Sequence, residues 1–104
     1  LSGGVKIDGN FYSEGNVRID GRIKGNVTVT GTLTLGEHSV VEGEVSAKTV
    51  TLSGRVEGKI IAQERVKLDQ KSVLKGDLIT KYLVVEEGAL FEGRSLMKNE
   101  VATE

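Results

Sequence analysis

A five-residue unit recurs along the chain: an aliphatic residue, a charged one, glycine, a polar one and a second aliphatic one. It reads Ile23-Lys24-Gly25-Asn26-Val27, Val41-Glu42-Gly43-Glu44-Val45, Val56-Glu57-Gly58-Lys59-Ile60 and Leu74-Lys75-Gly76-Asp77-Leu78. The outer copies are Ile7-Asp8-Gly9-Asn10-Phe11 and Phe91-Glu92-Gly93-Arg94-Ser95. Successive glycines lie 16, 18, 15, 18 and 17 residues apart, so six copies fill the chain. A short, nearly constant period marks a repeat architecture, in which each unit buries its apolar side only by stacking on its neighbours.

A second unit lies just upstream of each later copy. It is Val17-Arg18-Ile19, Leu33-Thr34-Leu35, Val50-Thr51-Leu52, Val66-Lys67-Leu68 and Leu83-Val84-Val85. From its last residue to the glycine unit the spacing is four residues at Ile19–Ile23 and Leu52–Val56. It is six at Leu35–Val41, Leu68–Leu74 and Val85–Phe91. One corner of the repeat is thus two residues longer in alternate forms. Within each unit the apolar period is two, and helical spacing is never sustained for more than a turn. A repeat of 15–18 residues is too short for a helix pair or a propeller blade. The pattern predicts an all-β, single-domain β-solenoid of about six coils, each of three short strands joined by tight corners. At ~4.8 Å between stacked strands, six coils make a rod of roughly 25–30 Å. The β-helix domain is expected over residues 1–98, with 99–104 a short polar tail.

Charge tests that alignment. In a solenoid, equivalent positions of adjacent coils stack, and opposite charges there help by roughly 0.2–1 kcal/mol while like charges repel. Before the glycines the column runs Asp8, Lys24, Glu42, Glu57, Lys75, Glu92. After them it runs Asn10, Asn26, Glu44, Lys59, Asp77, Arg94. Of the eight steps joining two charged residues, seven pair opposite signs, and only Glu42 against Glu57 does not. The net charge of −1 reads as the by-product of a register device.

Composition removes several function classes. With no cysteine there is no disulfide framework or thiolate metal site. No run of 18 apolar residues marks a membrane-spanning helix, and no signal-peptide pattern is present. Basic and acidic residues balance at 14 and 15, and they do not form a stripe interleaved with aromatics, which argues against nucleic acid. His38, the only histidine, sits in the long corner Gly36-Glu37-His38-Ser39. The same corner in other coils, Asp69-Gln70-Lys71-Ser72 and Glu86-Glu87-Gly88-Ala89, does not repeat that set. His38 therefore reads as a solvated corner residue rather than a base or a ligand. Hexapeptide acyltransferases share a solenoid pattern, but hexad periodicity fails here across the corners. Threonine arrays of the ice-binding type would need Thr pairs in nearly every coil, whereas Arg65 and Lys67, then Tyr82 and Val84, replace Thr49 and Thr51. The glycines follow the coil period and form no phosphate cradle, so no nucleotide, cofactor or metal is expected. The chain reads as a non-enzyme.

A solenoid leaves two open ends with unpaired strand edges, and terminal repeats normally carry caps. No capping helix and no proline protects either end of this sequence. Uncapped edges are templates for association. Like-end contacts at both ends of a subunit would alternate into an open chain. The expected contact residues are Leu90, Phe91, Leu96 and Met97 at the C-terminal end, with Val5, Ile7 and Phe11 at the N-terminal end. Phe91 stands out because the same position holds Ile7, Ile23, Val41, Val56 and Leu74 in other coils. The competing reading is a monomeric or dimeric module whose flat faces recruit a protein partner.

The units Val17-Arg18-Ile19-Asp20-Gly21-Arg22-Ile23-Lys24-Gly25-Asn26-Val27, Val50-Thr51-Leu52-Ser53-Gly54-Arg55-Val56-Glu57-Gly58-Lys59-Ile60 and Glu86-Glu87-Gly88-Ala89-Leu90-Phe91-Glu92-Gly93-Arg94 resemble the bactofilin domain, over roughly residues 3–98. The resemblance implies a right-handed triangular β-helix that polymerises end to end without nucleotide into non-polar filaments. It implies a cytoplasmic cytoskeletal scaffold that positions cell-wall or cell-shape machinery, often at the inner face of the cell membrane. The resemblance also implies flexible tails outside the core, among them a short N-terminal membrane-targeting stretch. Since this chain starts at Leu1, almost at the first coil, that stretch is expected upstream or is missing here.

Overall fold

The computed structural model describes residues 6–97 of the protein. Val5 and the tail at 99–104 lie outside the described residues. Those described form eleven strands and no helix, and every strand pair is parallel. The strands wind as coils with three faces. The first face stacks β1 (Lys6–Asp8), β4 (Arg22–Lys24) and the opening parts of β7 (Val40–Leu52), β8 (Arg55–Leu68), β9 (Val73–Thr80) and β11 (Leu90–Met97). The second stacks β2 (Phe11–Ser13), β5 (Val27–Val29) and the continuations of β7, β8, β9 and β11. The third stacks β3 (Val17–Ile19), β6 (Thr32–Leu35), the last parts of β7 and β8, and β10 (Tyr82–Val85). Among the described residues there are five complete coils and two faces of a sixth, close to the expected six.

The register follows the glycine alignment. Ile7 pairs with Ile23, Ile23 with Val41, Val41 with Val56, Val56 with Leu74 and Leu74 with Phe91. All seven opposite-charge steps and the single like-charge step of the two ionic columns are register pairs. Inward columns of Ile, Val and Leu from the three faces form one continuous core, in which Ile23, Val41, Val56 and Leu74 are fully buried.

The strands are not all short. β7 has 13 residues and β8 has 14, and both run round corners: their pairing is unbroken through the glycine corner and shifts register between Ala47 and Thr49 at the next one. Glycine explains the unbroken corner. The six repeat glycines have φ between +121° and +145°, a region that bends the chain and that residues with a Cβ rarely enter. Each of the later five also lies against the carbonyl of the glycine one coil earlier, so a methyl at Gly43 would collide with Gly25. The longer corners close differently. The Ser39 and Ser72 hydroxyls donate to the Gly36 and Asp69 carbonyls at 2.7 Å, and the backbone N–H groups of Ser39, Ser72 and Ala89 close matching turns at 3.0 Å.

Candidate assembly interface

A core column that is sealed in the middle of a rod must open where the rod stops. At the N-terminal end Ile7 and Phe11 pack against the core but remain only partly buried, as does Val17. At the C-terminal end Leu83, Ala89 and Phe91 are in the same condition. Both phenylalanines of the chain therefore lie in terminal coils, one at each end. An aromatic ring covers more of an open core section than Val or Ile does, and it keeps a flat apolar surface outward.

The expected C-terminal residues divide into two groups. Phe91 stacks on Leu74, and Met97 on Thr80, so both continue inward columns and sit at the mouth of the core. Met97 is 40 % exposed. Leu90 and Leu96 belong to outward columns, above Val73 and Ile79 respectively. They therefore line the sides of the last coil rather than its end.

Two residues that sequence reasoning passed over complete the C-terminal mouth. Leu83 and Val85 continue the third-face columns above Val66 and Leu68. Val66 and Leu68 are fully buried, whereas Val85 is 48 % exposed because the described sixth coil has no third-face strand to cover it. The signal was present in the sequence, as six glycine units against five upstream units.

Ionic groups hold the flanks. The Arg18 guanidinium donates to both carboxylate oxygens of Asp20, at 2.9 and 3.2 Å, and this holds the Asp20 carboxyl below its ordinary pKa. Arg55 does the same for Glu57 through a 2.6 Å bond. Near the N-terminal end asparagine amides stand in for side-chain charges. The Asn10 carbonyl accepts from the Asn26 backbone N–H at 3.3 Å, and the Asn16 carbonyl from that of Thr32 at 2.9 Å.

His38 is exposed at its corner turn. No group of three or more His, Cys, Asp or Glu side chains is placed to hold a metal ion among the described residues. None of the described helices is long and apolar enough to cross a membrane, since there are none.

The bactofilin family model, described as polymer-forming cytoskeletal, matches residues 1–96. The chain is similar to bactofilin BacA, a cytoskeletal protein whose atomic structure was revealed by solid-state NMR. The identity is 43%, the match covers 96% of this chain and 95% of that one, and the TM-score is 0.86. It is also similar to the Thermus thermophilus bactofilin reconstructed by cryo-EM as double helical filaments. There the identity is 32%, the coverage 90% of this chain and 93% of that one, and the TM-score 0.83. No curated protein matches. The family match spans the whole glycine ladder, and the chain belongs to the bactofilin family of polymer-forming cytoskeletal proteins.

Proposed function

We propose that this chain assembles end to end, without nucleotide, into non-polar filaments in which N-terminal ends meet N-terminal ends and C-terminal ends meet C-terminal ends. One observation carries the reading. In the column Ile7–Ile23–Val41–Val56–Leu74–Phe91 the four inner members are fully buried, and both outer members are left partly open. Covering an open apolar section stabilises by roughly 25 cal/mol per Å², and a second copy of the same end covers it symmetrically. The contact set is Ile7 and Phe11 at one end, together with Val5, which lies outside the described residues. At the other it is Phe91 and Met97, flanked by Leu90 and Leu96.

The filament then serves as a scaffold that positions cell-wall or cell-shape machinery, and a segment outside the coils supplies any attachment to the inner face of the membrane. Family membership supports this part. Electron microscopy of the purified protein, with and without ATP or GTP, tests assembly. Filaments of the same appearance in all samples are expected. Monomers that assemble only when nucleotide is added would overturn it.

A further inference from the structure

The second face carries two outward columns side by side. One is ionic and runs Glu44, Lys59, Asp77, Arg94 in unbroken register. The other runs Tyr12, Thr28, Ser46, Ile61, Ile79, Leu96 and turns aliphatic from Ile61 onward. Leu96 is 62 % exposed, and Lys59, Asp77, Ile79, Arg94 and Leu96 border a shallow groove between the columns. Three consecutive aliphatic residues point outward here, Ile61 and Ile79 half-buried and Leu96 exposed, next to four charges that alternate in sign.

We infer that this face is a lateral contact between two antiparallel copies of the chain, related by a two-fold axis that runs along the strands between the Lys59 and Asp77 coils. The inference rests on the end-to-end filament proposed above. Rotation about such an axis reverses the rod but keeps each column opposite its own counterpart. The ionic column then meets its reverse: Glu44 faces Arg94 of the other copy, and Lys59 faces its Asp77, so all four meetings join opposite charges. In the neighbouring column Ile61 meets Ile79 twice, and Leu96 lies against Ser46. Parallel pairing in register would set every charge against itself. Slipping the antiparallel pair by one coil would set Asp77 against Asp77 and Lys59 against Arg94. The alternation therefore selects both direction and register, and like-charge juxtaposition rejects the alternatives.

The first face shows the opposite design. Its column Asp8, Lys24, Glu42, Glu57, Lys75, Glu92 has the same sign order from either end. The corresponding two-fold would oppose Asp8 to Glu92, Lys24 to Lys75 and Glu42 to Glu57. Every meeting joins like charges, so that face repels its own copy in the centred register.

The patch is small. Four coils span about 15 Å along the rod, well short of the ~800 Å² per partner of a stable isolated complex. Pairing therefore accrues along filaments, where many weak contacts act together. It weakens with added salt because these charges are exposed. Non-polar filaments already contain two-fold axes across the rod, so antiparallel pairing introduces no conflict.

Two experiments test this. Asp77→Lys and the double variant K59D/D77K each place two like-charge steps within a rod, so they perturb the subunit alike. Between rods only the double variant restores opposite charges. Electron microscopy at low salt is expected to show paired filaments for the unsubstituted protein, single filaments for Asp77→Lys, and paired ones again for K59D/D77K. In the second experiment, Ser46→Cys and Leu96→Cys chains carrying different tags are mixed and treated with a short bis-maleimide, which the cysteine-free background permits. A dimer joining the two tags is expected. Single filaments from the unsubstituted protein, pairing that ignores Asp77→Lys, or no recovery in the double variant would overturn the inference. Dimers of Ser46→Cys alone, which report parallel pairing, or a mixture without cross-linked dimers would do the same. Absence of any filament would refute the end-to-end reading, and this contact with it.

Discussion

Replacing Gly43 with alanine tests what holds the coils at their spacing. Gly43 has φ +145°, and a Cβ built there sits 2.7 Å from the Gly25 carbonyl carbon and nearer still to its oxygen. Carbon contacts are comfortable at about 3.5–4.0 Å, so the two coils must part locally by about 1 Å. The Gly25 N–H donates to the Glu42 carbonyl at 2.9 Å at the same corner. Lengthened by that amount, the bond is lost. Backbone strain contributes about 1–3 kcal/mol, and each ladder bond that opens about 1 kcal/mol or more. We expect a total of about 3–5 kcal/mol, a large share of the 5–15 kcal/mol that keeps a domain of this kind folded. Gly9→Ala is the control. Gly9 has φ +121°, but a Cβ there meets nothing within 4 Å because no described coil lies beneath it. It should show the strain alone, about 1–3 kcal/mol. Urea unfolding followed by circular dichroism, at one fixed protein concentration, measures both, since assembly shifts apparent stability with concentration. Equal losses for Gly43→Ala and Gly9→Ala would show that close approach between glycines is not what sets the coil spacing.

Three further predictions address the end, a corner and the flank. Phe91→Arg places a charge in each half of a two-fold contact at a desolvated surface, while the terminal side chain can turn outward in the free subunit. A folded, soluble protein that stops at dimers joined by the Ile7 and Phe11 end is expected from light scattering and microscopy, and normal filaments would show the ring to be only an internal cap. Ser72→Ala removes a buried hydroxyl whose 2.7 Å bond closes the corner on the Asp69 carbonyl. It should cost about 1 kcal/mol in urea unfolding, and an unchanged midpoint would mean that the backbone turn suffices. Asp20 and Glu57 are held charged by Arg18 and Arg55, so their folded pKa values lie below their unfolded ones. Their contribution to stability is present above the ordinary carboxylate pKa and disappears as pH falls through the lower, folded value. Carboxyl NMR titration should place both midpoints below the ordinary values of about 3.9 for Asp and 4.3 for Glu, and ordinary midpoints would refute the pairing.

The like-charge step Glu42–Glu57 shows where reading the chain as a repeat stops. Alignment identified the step, but not its relief. Arg22 approaches Glu42 at 4.0 Å, and Arg55 bonds Glu57 at 2.6 Å. Arg55 lies two residues before Glu57 on the same strand, whereas Arg22 pairs with Val40 and so reaches Glu42 diagonally from the coil below; a column read only straight across coils includes neither neighbour.

Much else was legible from the sequence alone, for one physical reason. In a parallel solenoid equivalent repeat positions are the pairing partners, so aligning the six glycine units already states the register, the inward columns and the charge ladders. The period-two alternation states which residues are buried. Tertiary structure alone decided how the ends are built. Strands run through the glycine corners because positive φ turns the chain without breaking its ladder. Leu90 and Leu96 face the flanks because they follow the outward parity of Val73 and Ile79. Val85 is open because the described sixth coil stops after two faces. Exposure at the end of a stack depends on which neighbour is missing, and that is a property of the assembled coils rather than of any one repeat.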